Sequence, residues 1–197
     1  VNTVTPQMRR AGQGIWKGQL VEGLRGQIHP PERERTFLAM IPEIASETPG
    51  LVRAIFGDAP QGAAKGPAEM LEQSVWAFRA DALYRRVALE VLRNDRPFDL
   101  FAVYFGGADV VGHRFWRHAY PELYRHPPER DEQQAFGHVL EAYYAYLDTI
   151  LAEVIAAAPA DANVLVVSDH GMAPVRVTAR FRTPALSGGH LSAPSAV

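Results

Sequence analysis

The sequence predicts an α/β fold, a mostly parallel central sheet flanked by helices. Two apolar runs of strand length carry that expectation: FDLFAVYF, Phe98–Phe105, bounded by Pro97 and Gly106-Gly107, and NVLVVS, Asn163–Ser168. A continuous apolar run of this length is how a strand buried on both faces reads. The best helical pattern in the chain lies between them. The order is therefore strand, long excursion, helix, strand, which is the order of a parallel sheet joined by crossover helices.

The elements follow in order. Residues 1–67 read as loop-rich and irregular. Gly12, Gly14, Gly18, Gly23 and Gly26 recur too often for a stable helix, and His29-Pro30-Pro31 is a break. A short helix is expected over Thr36–Ser46, ended by Pro49-Gly50, and Gly57–Pro67 is a Gly/Pro/Ala connection. Residues 68–197 read as a helix-strand-helix-strand core. From Ala68 to Leu92, Leu71, Val75, Phe78, Ala82 and Val87 share one face, and Asn94 and Pro97 close the helix. Residues 119–132 are polar and Pro-rich, a surface excursion. Phe136, Val139, Leu140, Tyr143, Leu147, Ile150, Leu151, Val154 and Ile155 then recur at three- and four-residue spacing up to Pro159.

Composition narrows the function. The chain has 197 residues, 47% hydrophobic and 21% charged, which is ordinary globular usage and excludes a wholly disordered chain. Twenty Lys plus Arg against 22 Asp plus Glu give a net charge of -2. No field of one sign is available for non-specific binding, so no nucleic-acid polymer is expected as a partner. Without Cys, disulfides, thiolate metal sites and a Cys nucleophile are excluded. Apolar runs stop well short of the ~20 residues of a membrane span. The chain opens on Val1 without a leader pattern and stops on SAPSAV, and it reads as an internal piece of a longer protein, part of a single catalytic domain incomplete at both ends.

Both expected strands end in the same kind of place. Gly106-Gly107 is followed by Asp109 and, four residues on, His113; Ser168 is followed by Asp169, His170 and Gly171. In open parallel sheets, ligands bind beyond the carboxyl ends of the strands. A third imidazole, His190, lies in SGGH, where Gly188 and Gly189 let the backbone come close to a ligand. Imidazole and carboxylate are the protein ligands of zinc when Cys is absent. Three His and two Asp exceed the needs of one tetrahedral ion and suit two, an arrangement that clamps the attacking and leaving oxygens of a phosphoryl transfer. Each element also has a plainer reading: a surface pair for Asp109 and His113, a turn for SDHG, a flexible loop for SGGH. Their order and shared setting favour the metal. His118, His126 and His138 read as solvated, Phe115-Trp116 as core or a shield of the site, and Tyr143, Tyr144 and Tyr146 as a helix face.

DVVGHRFW, a long helix containing YYAYLD, then VLVVSDHGM, then SGGH resembles the alkaline phosphatase superfamily, and within it the type I phosphodiesterase / nucleotide pyrophosphatase branch. The likeness covers residues 97–197. It implies an alkaline-phosphatase-like fold, a metal-dependent phosphohydrolase acting on a small phosphate-ester substrate, and two divalent metal ions, usually zinc. It places Asp109, His113 and His190 on one ion and Asp169 and His170 on the other. The Thr or Ser nucleophile that the resemblance implies has no counterpart here. Thr3, Thr5 and Thr36 lack the setting, so the nucleophile is expected upstream of Val1 and the chain alone is expected to be inactive. Phosphomutases, sulfatases and phosphonate hydrolases of the superfamily share the metal set. A non-catalytic metal-binding module is the alternative of another class.

Overall fold

The computed structural model of the chain describes residues 28–57, 65–95 and 98–174. Among them the regular structure is helical: α1 (Arg33–Phe56), α2 (Lys65–Asn94), α3 (Gly107–Ala119), a single 310 turn at Pro121–Leu123, α4 (Arg130–Phe136) and α5 (Val139–Ala157).

The helices are built by their apolar stripes. In α1 the buried residues are Ile44, Thr48, Ile55 and Phe56, spaced so that one face turns inward. Pro42 and Pro49 lie inside this helix, on its exposed side. Proline removes a backbone donor and usually ends a helix. Here inward packing on both sides of Pro49 holds the helix through it, so α1 is twice the expected length and Pro49-Gly50 does not end it. The loop-rich reading of residues 1–67 is corrected to that extent. Thr48 donates its hydroxyl to the carbonyl of Ile44 at 2.7 Å and accepts Arg79 Nε at 2.8 Å, fixing α1 against α2.

Two faces of α2 serve two clusters. Ala82 and Leu83 pack with Ile28 and Ile44. Ala77 and Phe78 face the main core with Ile55, Phe56, Val111, Phe115, Phe136, Val139, Leu140 and Tyr143. Aromatic rings dominate that core. Phe56 stands 5.5 Å from both Phe78 and Phe115, and Phe78 lies 5.0 Å from Tyr143. Offset and edge-on pairs of this kind add to plain area burial. On the outside, Arg85 grips Glu153 of α5 through two hydrogen bonds of 2.7 and 2.8 Å, and Arg86 pairs with Glu43 and Glu47 of α1.

The expected mostly parallel sheet, and with it the alkaline-phosphatase-like architecture, is overturned for the described residues, in which no strand forms. Neither Phe98–Phe105 nor Asn163–Ser168 makes a backbone ladder with any described residue. A strand exists only by pairing laterally with another. Helix packs on helix instead, with α2, α3 and α5 meeting through the aromatic core. The apolar side chains of the two runs stay outside it: Leu100 is 83% exposed, Leu165 87% and Val167 88%. The best helical pattern is real but begins at Val139; Phe136 belongs to the separate short helix α4. Among the described residues no helix is long and apolar enough to cross a membrane.

Candidate functional site

Helix α3 carries the first pair of candidate residues. Gly106 precedes it and supplies no side-chain cap. The first-turn N–H of Gly107 instead donates to Asp81 Oδ2 of α2 at 3.1 Å. Asp109 also stands in the first turn, where a carboxylate is favoured by the positive end of the helix dipole. His113 lies one turn on and on the same face, its Nε2 3.2 Å from Asp109 Oδ1.

The second motif reaches this face from the other side. Met172 packs on α3 at Gly112, where an added Cβ would stand 2.8 Å from Met172 Cε and 3.2 Å from its Cγ. That contact docks the turn Ser168–Gly171 beside Asp109. Ser168 Oγ donates to the carbonyl of His170 at 2.6 Å, and His170 Nδ1 lies 3.0 Å from the carbonyl of Gly171. With Nδ1 donating, the neutral imidazole carries its lone pair on Nε2. That Nε2 lies 3.5 Å from Asp109 Oδ1. Asp169 is further out, its Oδ1 3.8 Å from His170 Nε2 and its side chain 89% exposed. The Gly171 carbonyl, then Asp169 and Asp109, hold the His170 imidazole above its ordinary pKa.

Asp109, His113 and His170 are thus brought together, Asp169 stands at their margin, and His190 lies outside the described residues. Asp109 Oδ1 is the pivot. It is out of contact with solvent and has no hydrogen-bond partner, although an imidazole nitrogen stands on each side of it. Among the described residues no three such side chains are placed to enclose an ion. Two carboxylate-to-imidazole separations can nevertheless be compared with what an ion requires. Ligand bonds of about 2.0–2.1 Å in a tetrahedral zinc site put neighbouring donor atoms about 3.3 Å apart. The two separations at Asp109 Oδ1, 3.2 and 3.5 Å, bracket that spacing. A hollow of about 740 Å³ among the described residues shares no lining residue with this trio. Of its arginines, Arg85 and Arg86 are engaged by Glu153, Glu43 and Glu47.

Three residues behind the trio were not singled out from the sequence as parts of a site. Asp81 is buried and accepts Tyr143 Oη at 2.6 Å on the same Oδ2 that takes Gly107 N–H. Burial pushes its carboxyl up to about 6, against the pull of those hydrogen bonds. Burial, and then the adjacent Asp81, push the Tyr143 hydroxyl far above its usual range. Ser74, also buried, accepts Arg114 Nη1 at 3.0 Å. The readable signal was an acid inside the apolar stripe of α2, three residues after Phe78 and next to Ala82. His118, expected to be solvated, is buried against Phe115 and Phe136, and burial lowers its pKa. His126 and His138 are exposed, as expected. Phe115 is core, and the Trp116 ring packs tilted against Tyr120, centroids 4.7 Å apart.

Residues 26–185 match the family model of the type I phosphodiesterase / nucleotide pyrophosphatase family. The match spans well over half of the chain, and the protein belongs to this family. Neither a curated protein nor a solved structure matches it.

Proposed function

We propose that the protein serves metal-dependent hydrolysis of phosphate esters, and that Asp109, His113 and His170 are the core of its metal-ligand set, with Asp169 and His190 completing it. The observation that carries this reading is Asp109 Oδ1, a buried carboxylate oxygen without a hydrogen-bond partner between two imidazole nitrogens. With Nδ1 of the neutral imidazole donating to Gly171, His170 Nε2 and Asp109 Oδ1, 3.5 Å apart, both offer lone pairs, and a cation between them would be held by both. The carbonyl of Gly171 on Nδ1 supports the same reading, because ligating histidines commonly donate their other N–H to a backbone carbonyl. Family membership supplies the reaction class, a phosphodiesterase or pyrophosphatase type of hydrolysis.

When bound, divalent ions supply Lewis-acid charge for the oxygens of the transferring phosphoryl group. The chain's own residues hold and orient. Asp109 contributes the charge, His113 is set by its place one turn along α3, and His170 by the turn that Ser168 closes. The Ser168 hydroxyl is spent on that turn and is not free to attack phosphorus.

Zinc calorimetry on the full chain tests the reading. Binding is expected in the wild type and is expected to be lost in Asp109→Asn and in His170→Ala. Undiminished binding by both variants would refute the assignment. The metal-loaded chain is expected to leave bis-p-nitrophenyl phosphate intact, since no described hydroxyl is poised at Asp109. Turnover would show that the attacking group is already present.

A further inference from the structure

Helix α2 holds α3 at two points two helical turns apart. Asp81 accepts the N–H of Gly107, and Ser74, seven residues earlier, accepts Arg114, seven residues later than Gly107. The two helices therefore run antiparallel along a shared seam, and Asp109 and His113 lie within the clamped stretch. The Gly107 end is the tight one. A Cβ there would stand 1.7 Å from Tyr143 Oη and 2.5 Å from Asp81 Oδ2, so the backbone is seated directly on the polar pair. The hydrogen bonds from Gly107 and Tyr143 both fall on Asp81 Oδ2, and the backbone of Gly106 adds a further one to the same carboxyl.

We propose that Asp81, held by Tyr143, is a positioning residue for the metal-ligand set: it locks the first turn of α3 and so fixes Asp109 Oδ1 between the imidazoles of His113 and His170. The inference rests on the metal reading above and adds to it the part of the protein that sets the geometry. Asp81 touches neither the ion nor a substrate and acts through the backbone of Gly107, two residues from Asp109. A Tyr–Asp pair whose function were only to stabilise the core would affect every property in proportion to stability. A positioning pair changes metal affinity beyond that.

The full chain is titrated with zinc against a chromophoric chelator. Asp81→Ala is expected to weaken zinc binding by about tenfold or more, the usual size of an effect one shell behind the ligands. Asp81→Asn keeps an oxygen able to take the Gly107 and Tyr143 hydrogen bonds and is expected to bind zinc more tightly than Asp81→Ala. Ile44→Ala, a destabilising truncation in the other core cluster, is expected to leave zinc affinity unchanged. Should Asp81→Ala fail to fold, Tyr143→Phe removes one hydrogen bond while keeping the ring in the core, and a severalfold loss is expected. Wild-type affinity in Asp81→Ala, or in Tyr143→Phe where it stands in, overturns the inference, as does an equal loss in Ile44→Ala. Failure of the metal reading looks different: wild type and Asp109→Asn then bind zinc alike, and the inference falls with it. Loss in Asp109→Asn with none in Asp81→Ala removes the inference alone.

Discussion

Gly112 is where one missing side chain decides whether the two halves of the site meet. Met172 fills the space a Cβ would take, and the turn bearing His170 rides on that contact. Gly112→Val is expected to displace Met172, at a cost of about 1–3 kcal/mol typical of overpacking. It is also expected to weaken zinc binding, because His170 moves away from Asp109; calorimetry and urea unfolding read the two effects separately, and wild-type zinc affinity would show that Met172 does not dock the turn. Asp81 makes a second prediction, of pH dependence. Its carboxyl titrates near 3.8 when unfolded and about 6 when folded. Between those values the native state holds a proton that the unfolded state has lost, so stability falls as pH rises through that window and is level outside it. Two pKa units at 1.36 kcal/mol each set the effect at about 3 kcal/mol at most. Asp81→Asn lacks the titration. Its urea stability is expected to fall less than that of the wild type from pH 4 to pH 6, and parallel curves would show that Asp81 does not titrate there.

At the scale of elements, the long helices were legible and their ends were not, while α3 and α4 were not read as helices at all. The stripe from Leu71 to Val87 marks α2, and the run from Val139 to Ile155 marks α5, because burial of one face imposes a period of 3.6 on any sequence. Pro49 misled: in a lone helix it is a stop, but inside α1 the burial of Thr48 and Ile55 outweighs the lost donor. Asp109 and His113 were singled out as a pair beyond the end of an expected strand; what sets them side by side is instead their four-residue spacing on α3, a helix the sequence reading did not place. The approach of His170 was not legible, since it depends on the fit of Met172 to Gly112, which no spacing encodes. Element packing yields its own prediction. Phe115 joins α3 to α1 and α4 through Phe56 and Phe136, at 5.5 Å each. Phe115→Ala is expected to cost about 3–5 kcal/mol, the range for losing a buried aromatic ring. Glu153→Gln, on the half-exposed pair with Arg85, is expected to cost less than about 1 kcal/mol. Thermal unfolding of both variants checks the order; a larger loss at Glu153 would place the weight of the fold in the ion pair between α2 and α5 rather than in the rings.

At the scale of the whole molecule, the sheet expectation failed for a physical reason. Apolarity and length say that a segment can be buried as a strand, but they do not supply its neighbour, and lateral pairing is a property of two segments. Phe98–Phe105 and Asn163–Ser168 carry the composition of buried strands while Leu100, Tyr104, Leu165, Val166 and Val167 remain open to solvent. That combination has a consequence for solution behaviour. Exposed apolar side chains grouped along a short segment bind apolar dyes and promote association. They contribute little to folding stability, because their surface is not removed from water. The double substitution Leu165→Ser, Val167→Ser is therefore expected to change urea stability by no more than about 0.5 kcal/mol, as for surface positions generally. The same variant is expected to lower the fluorescence of bound anilinonaphthalene sulfonate and to reduce light scattering at high protein concentration. A stability loss of about 2 kcal/mol or more would mean that these side chains are buried in solution, since only the removal of buried methyl groups costs that much, and the all-helical packing of the described residues would then have to be abandoned.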